Sequence, residues 1–148
     1  MTAGYEQLRQ AAEEQWEDLT ASEVPVITVG TATCGRSAGA LDTLDMLRGE
    51  LAGREIECRF VEVGCLGPCY AEPLVTVSLP GAATVCFASV NIKAARKIAA
   101  YVAGEDLPEN LAFATIGPDS SPGIPELMET PVMKGQVRRV LRTCGVVD

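Results

Sequence analysis

Apolar and polar positions follow two different periods along this chain. From residue 5 to 19, Tyr5, Leu8, Ala12, Trp16 and Leu19 recur every three or four positions, with Glu13, Glu14, Glu17 and Asp18 between them. That spacing predicts an amphipathic helix laid against something else, with Trp16 as an anchor in the contact. Val24 to Val29 is short and β-branched, so it reads as a strand. A helix is expected over 38–52, with Ser37 as its N-cap, Ala40, Leu41, Leu44, Leu47 and Leu51 along one side, and Gly53 as its stop. Residues 56–63 alternate apolar and charged as a second strand. Residues 74–79 and 83–88 are two more, joined by Pro80-Gly81, a turn signal for an antiparallel hairpin. A helix over 91–103 turns Ile92, Ala95, Ala99 and Val102 inward and Lys93, Arg96 and Lys97 outward.

The order β-α-β-β-β-α does not build a doubly wound sheet. A strand that crosses through a helix to a second strand, followed by a hairpin and a packing helix, is the core of a thioredoxin-like α/β fold. The expectation is a four-stranded mixed sheet with flanking helices, an N-terminal helix over 1–23, the main domain over 24–104, and an extended tail over 105–148. Within the tail, residues 117–125 hold three prolines and two glycines and read as a linker. Residues 132–143 regain helical spacing through Met133, Val137, Val140 and Leu141, with Cys144 next on the same side. One such helix cannot fold alone, so it packs back on the domain or opens a further one.

Composition narrows the function classes. The 148 residues suffice for one domain with a real core. There is no apolar run long enough to span a bilayer and no basic-then-apolar opening, which reads as a non-secreted, cytoplasmic protein, at most peripheral to a membrane complex. Six cysteines in that setting point to metal binding or catalysis rather than a disulfide framework. Histidine is absent, which removes the common general base, the usual zinc nitrogen ligand and the Rieske arrangement. The net charge of −8 gives no electrostatic reason to bind nucleic acid. Charge is uneven, however: Lys134, Arg138, Arg139 and Arg142 form a basic end with no acid among them. That end suits docking on an acidic protein surface, and equally a solvated helix face.

Chemistry concentrates in two glycine-bearing turns that each follow a strand, Thr33-Cys34-Gly35-Arg36 and Cys65-Leu66-Gly67-Pro68-Cys69. Glycine lets backbone N–H groups face a sulfur and proline fixes the loop, which suits thiolates on a metal or cluster. Packing as small apolar side chains is the competing account, weakened by the glycine density of these loops. Cys58 and Cys86 lie on apolar strand positions, and Cys144 sits on the apolar side of the tail helix; all three read as structural. A redox dithiol is disfavoured because Cys65 and Cys69 are one residue too far apart and follow the second strand, not the first. Zinc would want a fourth cysteine here, or a carboxylate or water in its place.

At Ile27 to Ala40 and again at Val63 to Val75 the chain resembles the thioredoxin-like [2Fe–2S] ferredoxins. It is most similar to the N-terminal domain of flavin- and NADH-binding subunits in NADH:quinone oxidoreductases, NAD(P)-reducing or bifurcating hydrogenases and related formate dehydrogenases. Residues Met133 to Gly145 resemble the lead-in to the flavin domain of such subunits. The resemblance implies an electron-transfer module that relays single electrons through a [2Fe–2S] cluster held by Cys34, Cys65 and Cys69. FMN and NADH would sit on a missing or partner domain, and other iron–sulfur subunits would be partners. No catalysis is expected from this chain alone.

One departure bears on that reading. The family binds its cluster with a C-x4-C pair and a C-x3-C pair; the second is present as Cys65 and Cys69, but five residues before Cys34 stands Val29. Three of four thiolates carry over, and a [2Fe–2S] centre normally takes four protein ligands. The alternative is therefore a cluster-free docking domain that assembles the same kind of complex.

Overall fold

The computed structural model describes residues 3–119 and 121–146; residues 1, 2, 120, 147 and 148, which fall within the expected N-terminal and C-terminal segments, lie outside the described residues. Five strands form one sheet: β1 (Val26–Gly30), β2 (Arg59–Val63), β3 (Val75–Ser78), β4 (Thr84–Phe87) and β5 (Ala112–Ile116), in the order β2-β1-β3-β4-β5. β1 runs parallel to β2 and antiparallel to β3, and the remaining neighbours are antiparallel. The sheet is mixed and flanked by helices, as the thioredoxin-like order predicts. Leu79 to Ala82 closes the β3–β4 hairpin through an Ala82 N–H to Leu79 carbonyl bond of 3.2 Å, with Gly81 at φ +72°. That is a type II turn, which wants proline then glycine at its centre.

One face of the sheet is closed by α3 (Ala40–Gly53) and α4 (Ile92–Val102). Alternation along the strands sends Ile27, Val29, Val75, Val77, Val85 and Phe87 to this side, where they meet Leu44, Leu47 and Leu51 from α3 and Ala95, Ile98 and Ala99 from α4. Asn91 caps α4, its Oδ1 accepting the Lys93 and Ala94 N–H groups at 3.0 Å. The helix expected over 38–52 begins differently from the sequence reading. Ser37 lies inside a separate short helix, α2 (Thr33–Ala38), and Gly39 at φ +97° breaks the chain before α3 starts. A left-handed residue between two helices is what glycine supplies and serine resists.

The other face is covered by the tail where it adjoins the cysteine loop, and here the sequence reading needs three corrections. β5, read as part of the extended tail, pairs with β4 and makes the sheet five-stranded rather than four-stranded. Residues 117–125 turn back along it, and the Thr115 N–H donates to the Pro125 carbonyl at 2.8 Å. Residues 132–143 form turns, not the expected helix: Met133 is fully buried while Val137 and Val140 are exposed, so the apolar positions do not share a face. Met133 joins Leu66, Ala71, Leu74, Cys86, Ala114 and Leu127 in a second apolar cluster. The N-terminal helix, α1 (Ala3–Thr20), leaves Tyr5, Leu8 and Trp16 exposed. Arg59 holds its last turn, donating to the Asp18 carbonyl at 2.9 Å and carboxylate at 2.7 Å. No helix among the described residues is long and apolar enough to cross a membrane.

Candidate metal centre

Parallel pairing decides where the cysteines go. β1 and β2 end side by side, Gly30 opposite Val63, so the segments that follow both leave from one rim of the sheet. The Thr31 N–H donates to the Val63 carbonyl at 3.0 Å and ties the two exits together. From one exit α2 begins, with Cys34 in its first turn; from the other comes the 64–68 loop and a single 3₁₀ turn, Cys69–Ala71. The sulfurs of Cys34, Cys65 and Cys69 all lie within 4.8 Å of one another. Cys65 and Cys69 are closest, Sγ to Sγ 3.3 Å. All three residues expected to bind are thus brought together, Cys34 from a helix rather than the expected loop.

Backbone fit is tight on both sides of the site. A Cβ on Gly35 would fall 2.0 Å from the Gly30 carbonyl oxygen, so only glycine lets α2 sit against the end of β1. Gly67 is at φ +130°, a conformation open to glycine alone, and lets the loop turn between Cys65 and Cys69. The Cys69 N–H closes that turn on the Gly67 carbonyl at 2.8 Å. Beneath it lies Met133, with Sδ 3.5 Å from where a Gly67 Cβ would stand.

Of the three thiols, Cys65 is held in its neutral form by its surroundings. Burial, and then hydrogen bonds that the Cys65 thiol shares with Cys69 and Cys34, push Cys65 up to about 12. A bound cation reverses that balance, because it takes the thiolate and releases the proton to solvent. Three soft donors without imidazole fit a thiophilic metal or an iron–sulfur centre. Cys69 is exposed, so that side of the site is open to solvent.

Glu72 was not singled out from the sequence. Its carboxylate is buried, takes the Leu74 N–H at 2.8 Å, and lies 3.7 Å from the Cys34 sulfur as acceptor of its thiol proton. Burial raises its pKa above the usual carboxylate range. Gly30 makes room for it: a Cβ there would meet both carboxylate oxygens at 3.2 Å. An acid flanked by Ala71 and Pro73, three residues beyond Cys69, was the available signal. Val29, five residues before Cys34, is fully buried in the helix-side core. Cys58 packs against that core and Cys86 is fully buried, so both are structural, as read from the sequence.

Comparison with known proteins supports the architecture. No protein-family model matches the chain. The NADP-reducing hydrogenase subunit HndB of Solidesulfovibrio fructosivorans is 34% identical over 74 residues, 49% of this chain and 59% of that protein. The chain therefore matches somewhat over half the length of that relative. Two structures of a thioredoxin-like [2Fe–2S] ferredoxin from Aquifex aeolicus superpose with TM-scores of 0.53 and 0.55 at 15% and 14% identity. They cover 63% and 68% of this chain and 99% of each ferredoxin chain. At that identity the likeness establishes the fold: the chain has the thioredoxin-like fold.

Proposed function

We propose that this chain is an electron-transfer module of an NADH dehydrogenase or NAD(P)-linked hydrogenase type complex, with a [2Fe–2S] cluster held by Cys34, Cys65 and Cys69. The convergence of three sulfurs within 4.8 Å carries this reading. The bound cluster would supply one-electron chemistry between a flavin and further iron–sulfur centres. The chain's own residues do the rest. Gly35 and Gly67 set the approach of the two turns, the parallel β1–β2 ladder fixes the distance between them, and Met133 fills the space below. Partial burial of Cys65 limits water on one side, while exposed Cys69 would face a partner.

The 34% identity to a hydrogenase subunit supports membership of a multisubunit oxidoreductase. FMN and NADH belong, in this reading, to a flavin domain beyond residues 105–148 or on a partner subunit, with other iron–sulfur subunits nearby. A reducing, cytoplasmic setting suits six free cysteines. A cluster-free docking domain is favoured by one observation, the burial of Val29 where a ligand would otherwise stand.

Anaerobic reconstitution of the full chain with iron and sulfide separates the two. The carrier takes up iron and inorganic sulfide, absorbs in the visible, bleaches on reduction and shows an S = 1/2 signal. A chain that stays colourless and iron-free overturns it.

A further inference from the structure

We propose that Cys144 supplies the fourth thiolate of the Cys34–Cys65–Cys69 centre, delivered by the C-terminal segment. For iron this rests on the carrier reading above. The argument starts from Gly145. Its backbone lies directly on the Cys65–Cys69 loop: a Cβ there would fall 2.6 Å from the Leu66 Cα, and its own N is 3.9 Å from where a Gly64 Cβ would stand. With φ at +80° as well, only glycine permits the contact. Cys144 and Cys65 are each one residue from that touching point. Consecutive Cα atoms are about 3.8 Å apart, so the two cysteine Cα atoms lie no more than about 12 Å apart.

Other features support the placement. Cys144 is a free, half-buried thiol in a turn, closed by its N–H to the Leu141 carbonyl at 3.2 Å. Its sulfur stands outside the 4.8 Å set, so ligation needs an inward movement of the segment that carries it. The same segment carries Lys134, Arg138, Arg139 and Arg142, and the Arg138 Nη2 donates to the Cys144 carbonyl at 3.4 Å. Four thiolates and two bridging sulfides outweigh the charge of two irons, so a basic segment is an apt carrier for the last ligand. Each thiol that binds gives its proton to solvent and leaves no redox change to balance.

The test compares the full chain with Cys144→Ser, with Gly145→Ala to displace the segment without touching a sulfur, and with Cys58→Ser as a cysteine-count control. After reconstitution, Cys144→Ser and Gly145→Ala should lose iron to a chelator about tenfold faster or more. Cys144→Ser should also shift the visible bands and the g-values of the reduced state, while Cys58→Ser matches the parent. Equal iron retention and identical spectra for Cys144→Ser and parent overturn the proposal. If the parent takes no iron, the carrier reading fails on its own, and Co(II) titration of the metal-free chain decides the ligand count. A sulfur-to-cobalt charge-transfer band that is stronger in the parent than in Cys144→Ser supports a fourth thiolate. Equal bands, or no cobalt uptake by the parent, overturn it.

Discussion

The two faces of the sheet are closed by different means. On one side α3 and α4 lay Leu44, Leu47, Leu51, Ala95, Ile98 and Ala99 over the strands, in regular helical rows. On the other, turns from residues far along the chain press Leu127 and Met133 onto Cys86, Ala114 and the cysteine loop. The helical side fixes the fold. The turn side shapes the loop that carries Cys65 and Cys69. Stability and site shape are thereby placed on opposite surfaces, and perturbing each separately tests whether they are independent.

Leu47→Ala should have the largest effect. It empties a fully buried position between α3 and the sheet and costs about 2–5 kcal/mol in denaturant unfolding. Thiol alkylation below the unfolding transition should not change. Met133→Ala should cost less, about 2 kcal/mol, because the turns around it can collapse into the space. Its distinguishing result is faster alkylation of Cys65, which in the parent reacts after the exposed Cys69 because its pKa is pushed up to about 12. If both variants speed Cys65 alkylation only in step with global unfolding, the two faces are one unit and the comparison fails. Asn91→Ala removes the α4 cap from the helical side and should cost about 1 kcal/mol, read as a lower melting temperature. The smallest effect belongs to Arg59→Ala, which frees an exposed pair with Asp18 and should cost under about 1 kcal/mol. Near-ultraviolet circular dichroism of Trp16 should still change as α1 loses its tether.

What could be read from the sequence divides along the same line. β1, β3, β4, α3 and α4 announce themselves because one buried face imposes a period on local residues, as at Leu44, Leu47 and Leu51. β5 does not: Ala112 and Ala114 lack β-branching, and the strand exists because the β4 edge offers it hydrogen bonds. The apolar spacing from Met133 to Leu141 imitated a helix, yet Met133 alone is buried and positive-φ Gly135 interrupts the run. The meeting of Cys34 with Cys65 and Cys69 was legible because strand–turn–cysteine occurs twice before a common rim. Glu72 and Gly145 were not, since their roles come from contacts with Gly30, Cys34 and Leu66 that leave no periodic trace.

The type II turn at Pro80-Gly81 lies beyond Ser78, which pairs with Val26 at the start of β1, whereas the sulfurs lie past Gly30 at its end. A five-residue strand, about 16 Å of rigid ladder, separates the two ends. That hairpin tip is consequently the natural attachment point for a dye, a surface anchor or an electrode tether. A label placed there leaves the opposite rim, with Cys34, Cys65 and Cys69, uncovered.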